Sequence, residues 1–363
     1  MYDLKKVSDL FDLRGDFVTG APYGSGHIND TFRIEVDQAG LRISYILQRI
    51  NSNVFKQPIP LMENIKRVTD EALTILQAEG CKEAYRQTLT IIPSKDGKPY
   101  AQDDECNVWR VYPFIDRART YDMIENTEQC VQVAKAFGNF QKMAANMGGE
   151  PLFDTIPDFH NTSKRFKTFQ NAIAADPLGR AKSVQKEIDW FLAREADCHL
   201  VVNYLASGEL PMRVTHNDTK LNNVMLDDVT GEGICVIDLD TTMPGSALYD
   251  FGDMIRTSTS PAAEDEKDTS LVTMRMEYFE ALAKGYCEAA TFLTPLEKSL
   301  LAFSGKLLTM ECGMRFLTDY LEGDTYFKIK RPEHNLDRCR TQIALAESIE
   351  SQMDAMNAIV NKY

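Results

Sequence analysis

Residues 214–227, VTHNDTKLNNVMLD, set a histidine, two aspartates, a lysine and three asparagines among apolar residues. A buried strand rarely holds so many groups that need hydrogen bonds or counter-charges. The stretch is therefore either a solvated loop with strand at both ends or a set of polar groups converging on a ligand. After Asn223 the chain reads VMLD, then DVTGEG, then ICVIDLD, which is strand, tight turn, strand and acidic tip. A hairpin brings its ends together, so this order gathers His216, Asp218, Asn223 and Asp238.

Phosphoryl transfer needs such a set. An aspartate accepts the proton of the acceptor hydroxyl, an asparagine and a second aspartate hold Mg²⁺, and a lysine steadies the transferring phosphate. In the kinase loop H-R-D-x-x-x-x-N the asparagine lies five residues after the aspartate. Asp218 and Asn223 have that spacing, Lys220 lies two past the aspartate, and Asp238 lies twenty beyond it, one hairpin away. The string DFG at Asp250, Phe251 and Gly252 imitates the kinase magnesium motif but stands thirty-two residues beyond Asp218. That is too far to close the hairpin, so Asp250 is expected to brace the loop from behind. HxDxxxxN alone also marks a simple Asx-turned loop; the hairpin and the acidic tip at the right distance favour catalysis.

The 363 residues suffice for two core-bearing units. A net charge of −14 disfavours nucleic acid and anionic membranes as partners, and no run of Lys or Arg offsets it. Charges interrupt the N-terminal apolar residues, no segment approaches a membrane span, and the eight cysteines lack any CxxC pair. Reduced thiols in a cytoplasmic protein are expected.

The first third reads as strands with one helix. A Gly-rich turn, YGSG, separates two strand-like runs, and LRISYILQRI follows as a strand. Residues 59–80 predict a helix on Leu61, Ile65, Val68 and Leu73 or Ile75, stopped at Gly80. TLTIIPSKDGKPYAQ predicts a hairpin, and NVWRVYPFI a strand that Pro113 ends or leaves at an edge. Beyond PFIDRART helical periodicity dominates, beginning with Val133, Phe137, Phe140, Ala144 and Met147 on one face. The expected fold is α+β and two-lobed. Residues 1–112 form an antiparallel sheet lobe with one main helix, 113–119 a hinge, and 120–363 a mostly helical lobe.

Residues 214–256 resemble the aminoglycoside phosphotransferase and choline kinase superfamily, whose fold is that of the protein kinases. APYGSGHINDTF, WRVYPFI, EDEKD, LLTMECGMRFLTDYLEGDTYF and EHNLDRCRTQI resemble one branch, the N-acetylhexosamine 1-kinases, over nearly the whole chain. The resemblance implies ATP- and Mg²⁺-dependent phosphorylation of the anomeric hydroxyl of N-acetylglucosamine or N-acetylgalactosamine. It makes Asp218 the base and Lys220 the partner of the γ-phosphate. Asn223 and Asp238 become the Mg²⁺ ligands, with Asp240 reaching the metal through water. Gly24, Ser25, Gly26 and Gln48 face the nucleotide, and the backbone of Pro113, Phe114 and Ile115 meets adenine. His27, Arg315 and Tyr326 line the sugar pocket.

Plainer roles stand beside these. His27 next to Gly26 serves equally as a turn cap. Glu311, Arg315 and Asp319 at i, i+4 spacing read as an exposed ion-pair stripe. Tyr326 is a loop residue, and EDEKD a solvated loop. Two features depart from the kinase pattern: Gln48 stands where a third-strand lysine belongs, with Arg49 pointing to the opposite face, and the partner glutamate is Glu63 or Glu71. YGSG is also shorter than G-x-G-x-x-G. A second enzyme reading keeps the fold and changes the acceptor to choline, an aminoglycoside or another alcohol. A third is a non-catalytic nucleotide-binding scaffold, which the set Asp218, Asn223 and Asp238 opposes. Small molecules are the expected partners in all three.

Overall fold

Alternating side chains dictate the first sheet. In the computed structural model, which describes residues 2–24, 26, 28–145 and 147–363, five strands run in the order β1 (Asp16–Pro22), β2 (Asp30–Gln38), β3 (Leu41–Arg49), β5 (Val108–Pro113) and β4 (Ala101–Gln102). All pairings are antiparallel. Phe32, Leu47 and Val111 lie in register across β2, β3 and β5. With Ile34, Trp109, Val7 and Phe11 they close one face under α1 (Leu4–Ser8). The other face carries Gln48 opposite Arg110 and Ile46 opposite Tyr112. Gln48 and Arg49 do point to opposite faces; Arg49 bonds Asp30 at 2.8 Å.

Helix α2 (Pro58–Ala78) buries Leu61, Met62, Ile65, Val68, Ala72 and Leu76, so its last turns use a different stripe from Leu73 or Ile75. Gly80, at φ +78°, ends it: Cys81 N–H donates to the Leu76 carbonyl and Gly80 N–H to Gln77, the pattern of a left-handed helix stop. A short α3 (Ala84–Gln87) follows. The hairpin expected in TLTIIPSKDGKPYAQ keeps only its turn. Gly97 has φ +81° and Ser94 N–H bonds the Lys98 carbonyl, but residues 88–93 form no strand. Their backbone reaches β5 through the Ile92 amide alone in this stretch, donating to Val111, and Pro93 has no amide to add. β6 (Ala118–Arg119), β8 (Val224–Asp227) and β9 (Gly233–Val236) make a separate three-stranded sheet, in which Val224 pairs with Val236. The hairpin read from sequence is thus present, its turn held by two backbone amides donating to Asp227.

The chain divides into two compact units. The first comprises residues 1–119, 146–157 and 224–243, and the second 120–145, 158–223 and 244–363. Asn64, buried on α2, explains why two later segments join the first unit. Its Nδ2 donates to the carbonyls of Phe153 (2.7 Å) and Thr242 (3.0 Å), and its Oδ1 accepts from Phe153 N–H.

The second unit is helical. It contains α4 (Thr127–Ala144), α5 (Thr162–Ala175), α6 (Gln185–Leu192), α7 (Glu195–Ser207), α8 (Ala247–Ser258), α9 (Met276–Ala289), α10 (Pro295–Ser299), α11 (Leu301–Glu322) and α12 (His334–Val360). The short strands β7 (Arg213–Thr215) and β10 (Met243–Gly245) complete the element order. Phe166, Phe169, Phe191, Met310, Met314, Leu317, Leu321 and Leu336 form one of its cores. Met147 lies beyond α4 and so does not extend its apolar face. Among the described residues no helix is long and apolar enough to cross a membrane, and all eight cysteines are free.

Gly252 shows how closely these helices meet. A Cβ there would stand 2.3 Å from the Ser304 carbonyl oxygen of α11. The glycine of the DFG string therefore serves helix packing. We expect Gly252→Ala to lower stability by about 1–3 kcal/mol, the usual cost of overpacking, in chemical denaturation. An unchanged midpoint would mean that α8 and α11 can separate freely.

Candidate active site

In the first unit the Gly-rich turn joins β1 to β2, with Tyr23 N–H bonded to the Thr31 carbonyl. Gly24 has φ +81°, and neither Gly24 nor Gly26 has an atom within 4 Å of where a Cβ would lie. Ser25 and His27 lie outside the described residues. Of the hinge residues, Pro113 ends β5 and Phe114 donates its N–H to the Ser44 carbonyl, while its ring lies under the Arg33 guanidinium. Proline has no N–H, so any adenine contact through a hinge donor falls to Ile115.

Gln48 does not stand alone. Its Oε1 accepts from Arg110 Nε (2.9 Å) and Nη2 (2.6 Å), and its Nε2 donates to Thr31 Oγ1 (2.8 Å). Arg110 also pairs with Asp240. Burial works against the Arg110 charge, yet the Asp240 carboxylate outweighs it and holds the guanidinium protonated. Asp240 also accepts from Asn29 Nδ2 at 2.5 Å. Each of its oxygens thus accepts from a protein donor in this structure. Asp238 holds φ +57°, a left-handed backbone that Asp tolerates better than most residues. Of the two candidate glutamates on α2, Glu63 is exposed, between buried Met62 and Asn64, and Glu71 is half-buried.

In the second unit the loop after β7 carries the base candidate. Asn217 has φ +65°, and its side chain folds back on Thr215. The Asp250 carboxylate accepts the N–H groups of His216 (2.9 Å) and Asn217 (2.7 Å) and the amide of Gln141. Thr219 Oγ1 donates to the Asp250 carbonyl at 2.6 Å. Asp250 therefore braces the loop as its spacing predicted. His216, fully buried against Phe137 and Phe140, accepts the Asp218 N–H and shapes the loop.

Asp218 is 28% exposed and pairs with Lys220 at 2.6 Å. Burial disfavours its charge, but Lys220 prevails and holds the carboxyl below its usual range. It is an ionised acceptor near neutral pH. Asn223 donates Nδ2 to the Asp218 carbonyl (2.8 Å) and carboxylate (3.2 Å).

The expected stripe of Glu311, Arg315 and Asp319 is not exposed. Glu311 and Asp319 are 2% and 3% accessible, because distant groups satisfy them. Asp319 accepts the backbone N–H groups of Thr325, Tyr326 and Phe327 and the Asn335 amide. The Arg315 guanidinium lies 5.5 Å from Phe159, 6.0 Å from Tyr326 and 5.5 Å from Phe327. Tyr326 itself is an exposed loop residue. EDEKD is largely exposed, but Asp265 is hydrogen-bonded to His334 at 2.9 Å and Glu264 pairs with Arg256 at 3.4 Å.

Sequence reasoning missed Arg110 and His160. Buried His160 places Nδ1 3.1 Å from Glu311 and Nε2 3.1 Å from the Asn217 carbonyl. A carboxylate and a carbonyl both only accept, so both ring nitrogens donate and the ring is an imidazolium. Burial opposes that charge, but Glu311 dominates, raising His160 and lowering Glu311 from their ordinary ranges. A single histidine in DFHN carried no periodic signal.

Residues 19–292 match the APH family, described as the phosphotransferase enzyme family. This span exceeds half of the chain, so the protein belongs to that family. Its kind of reaction is phosphoryl transfer to a small molecule. An aminoglycoside phosphotransferase from Alicyclobacillus acidocaldarius is similar over 99% of this chain and 96% of its own, at 11% identity and TM-score 0.61. A choline kinase from Cryptosporidium parvum is similar over 95% and 92%, at 15% identity and TM-score 0.56. A spectinomycin phosphotransferase, solved with ADP and spectinomycin, is similar over 96% and 97%, at 13% identity and TM-score 0.55. At these identities the likeness establishes the fold, kinase-like with a sheet N-terminal lobe and a helical C-terminal lobe.

The His160 strap gives a pH signature. Its folded pKa is raised, so its stabilisation is complete below the unfolded value of about 6.5 and is lost as pH rises through the folded pKa. His160→Gln, which leaves Glu311 short of a buried partner, should cost about 3 kcal/mol at pH 6. The gap to the parent protein should narrow in melts at alkaline pH. A gap that stays constant between pH 6 and 9 would refute the imidazolium.

Proposed function

We propose that the chain transfers the γ-phosphoryl group of ATP to the C1 hydroxyl of an N-acetylhexosamine, N-acetylglucosamine or N-acetylgalactosamine, giving the sugar 1-phosphate. Membership of the phosphotransferase family supports the reaction, and the ADP complex of the spectinomycin enzyme supports a nucleotide donor. The observation that carries the acceptor class is the occupant of the aromatic cluster Phe159, Tyr326 and Phe327. Rings that could cage a quaternary ammonium surround the Arg315 guanidinium instead. Arg165 lies near enough for the two cations to repel, its own pKa lowered by burial and then by Arg315. A cationic acceptor such as choline or an aminoglycoside would meet like charge there, whereas a neutral N-acetylated sugar would not. The sequence resemblance supplies the amino sugar and the C1 position.

Asp218 accepts the C1 hydroxyl proton as that oxygen attacks the γ-phosphorus. The bond to the β–γ bridging oxygen breaks, leaving ADP and the sugar 1-phosphate, with the proton on Asp218. Lys220, which holds Asp218 ionised, stands to offset charge on the transferring group. Asn223 spends Nδ2 on Asp218 and keeps Oδ1 as a hard oxygen. Asn223 Oδ1 and the Asp238 carboxylate are each of the hard-oxygen type that Mg²⁺ prefers, and by the sequence resemblance we assign these two residues as its ligands. Bound Mg²⁺ would neutralise charge on the β- and γ-phosphates.

Mg·ATP with N-acetylglucosamine, N-acetylgalactosamine, glucose, galactose, choline and kanamycin tests the acceptor. ADP release should be confined to the N-acetylhexosamines, with phosphate on C1 by NMR; turnover on choline or kanamycin alone would sink the sugar reading. Asp218→Asn should lower turnover by about 10²–10⁴-fold while Mg·ADP still binds. Undiminished turnover in that variant would remove Asp218 as base.

A further inference from the structure

Resting on the phosphotransfer reading, we propose that Arg110 is the positioning cation of the nucleotide site. From β5 it does what a β3 lysine does in protein kinases, with Asp240 as anchor in place of a helix glutamate. In kinases that lysine must pair with a glutamate of the following helix for the site to be competent. Here β3 presents Gln48 at that place, and antiparallel register sets Arg110 directly opposite. Thr31 fixes the Gln48 amide so that its oxygen faces the guanidinium, which it accepts from twice. The helix has withdrawn from the role: the α2 group against Arg110 is the Met62 sulfur, 3.8 Å from Nη1.

The Arg110–Asp240 pair is 1% and 3% exposed. Such a pair adds little stability over apolar side chains of similar volume. What it does here is geometric. Asp240 receives Arg110 on one oxygen and Asn29 on the other, and Asn29 in turn accepts the Asn51 N–H at 2.9 Å. One carboxylate thus ties the residue before β2, strand β5 and the acidic tip that carries Asp238. A second observation points to a ligand. The Tyr112 hydroxyl and Thr242 Oγ1, in residues 5% and 0% exposed, have no hydrogen-bond partner among the described residues. Tyr112 lies two residues from Arg110 on the same sheet face, with the guanidinium 5.4 Å from its ring. The unpaired Tyr112 hydroxyl on the ring next to this fixed cation, with the Thr242 hydroxyl two residues beyond Asp240, suits a polar, anionic occupant such as the phosphates of a magnesium nucleotide.

Calorimetric titration of the whole chain with Mg·ADP, and with ADP in EDTA, tests this alongside thermal melts. Arg110→Gln should weaken Mg·ADP binding by about tenfold or more, as expected when a charge-assisted contact is lost. Arg110→Lys should recover part of that loss, since it restores charge without the planar fork. Gln48→Met, which keeps both charges and removes only the aiming oxygen, should weaken binding in the same direction. ADP in EDTA should respond much less to each change. Arg110→Gln binding Mg·ADP within about twofold of the parent protein would overturn the proposal, whatever its melting temperature. Should that variant not fold, Gln48→Met within twofold would do the same. A parent protein that binds no Mg·ADP would instead overturn the phosphotransfer reading beneath it.

Discussion

A buried carboxylate accepting two consecutive backbone N–H groups holds in place the loop that carries Asp218. Asp250 takes the amides of His216 and Asn217 and leaves little freedom to the peptide before Asp218. His160 holds the opposite end of the same residue through the Asn217 carbonyl. With N–H and C=O both fixed, Asn217 can persist at φ +65°, a conformation few residues adopt without compensation. The side chain of Asp218 then projects from a backbone that does not need to reorganise. Burial raises the Asp250 pKa, and the amides that replace its water limit that rise. The loop therefore depends on α8, where Asp250 lies in the first turn and Gly252 seats the helix on α11.

The first unit solves a different problem with its sheet. One face is closed by apolar residues in register, while the other carries a glutamine, an arginine and a tyrosine across two neighbouring strands. Placing the cation on β5 changes what can hold it. A β3 lysine looks toward a helix, whose movement can make or break the pair. Arg110 looks toward Asp240, so its partner belongs to the same acidic tip as Asp238, the proposed metal ligand. Helix α2 keeps a structural task through Asn64, which ties the Phe153 and Thr242 carbonyls.

Local patterns exposed the strands, the hairpin at 224–236 and the spacing of Asp218, Asn223 and Asp250, because each is written in neighbouring residues. Arg110 was not legible in the same way. Its partner Gln48 is named by cross-strand register, and Asp240 by folding of a segment more than a hundred residues away. Glu311 and Asp319 misled for a related reason. Charges spaced i, i+4 on a helix imply water when only the helix is considered. Here an imidazolium and three loop amides stand in for that water. TLTIIP failed as a strand because an apolar run specifies burial but not a hydrogen-bonding neighbour.

The same substitution of protein for water sets what the loop at Tyr326 can do. Three successive N–H groups, from Thr325 to Phe327, converge on one buried carboxylate that Asn335 also steadies. Converging amides of this kind fix a backbone far more tightly than exposure of the Tyr326 side chain would suggest. Phe327 is thereby held near Arg315, and the guanidinium has aromatic faces on several sides before any ligand arrives. Were the proposed acceptor to bind here, it would meet a guanidinium already placed among these rings, with little ordering entropy left to lose. Arg315 and the neighbouring Glu311 carboxylate, 3.9 Å away, are therefore set by the folded unit itself, and the proposed selection against cationic alcohols would draw on charge already in place.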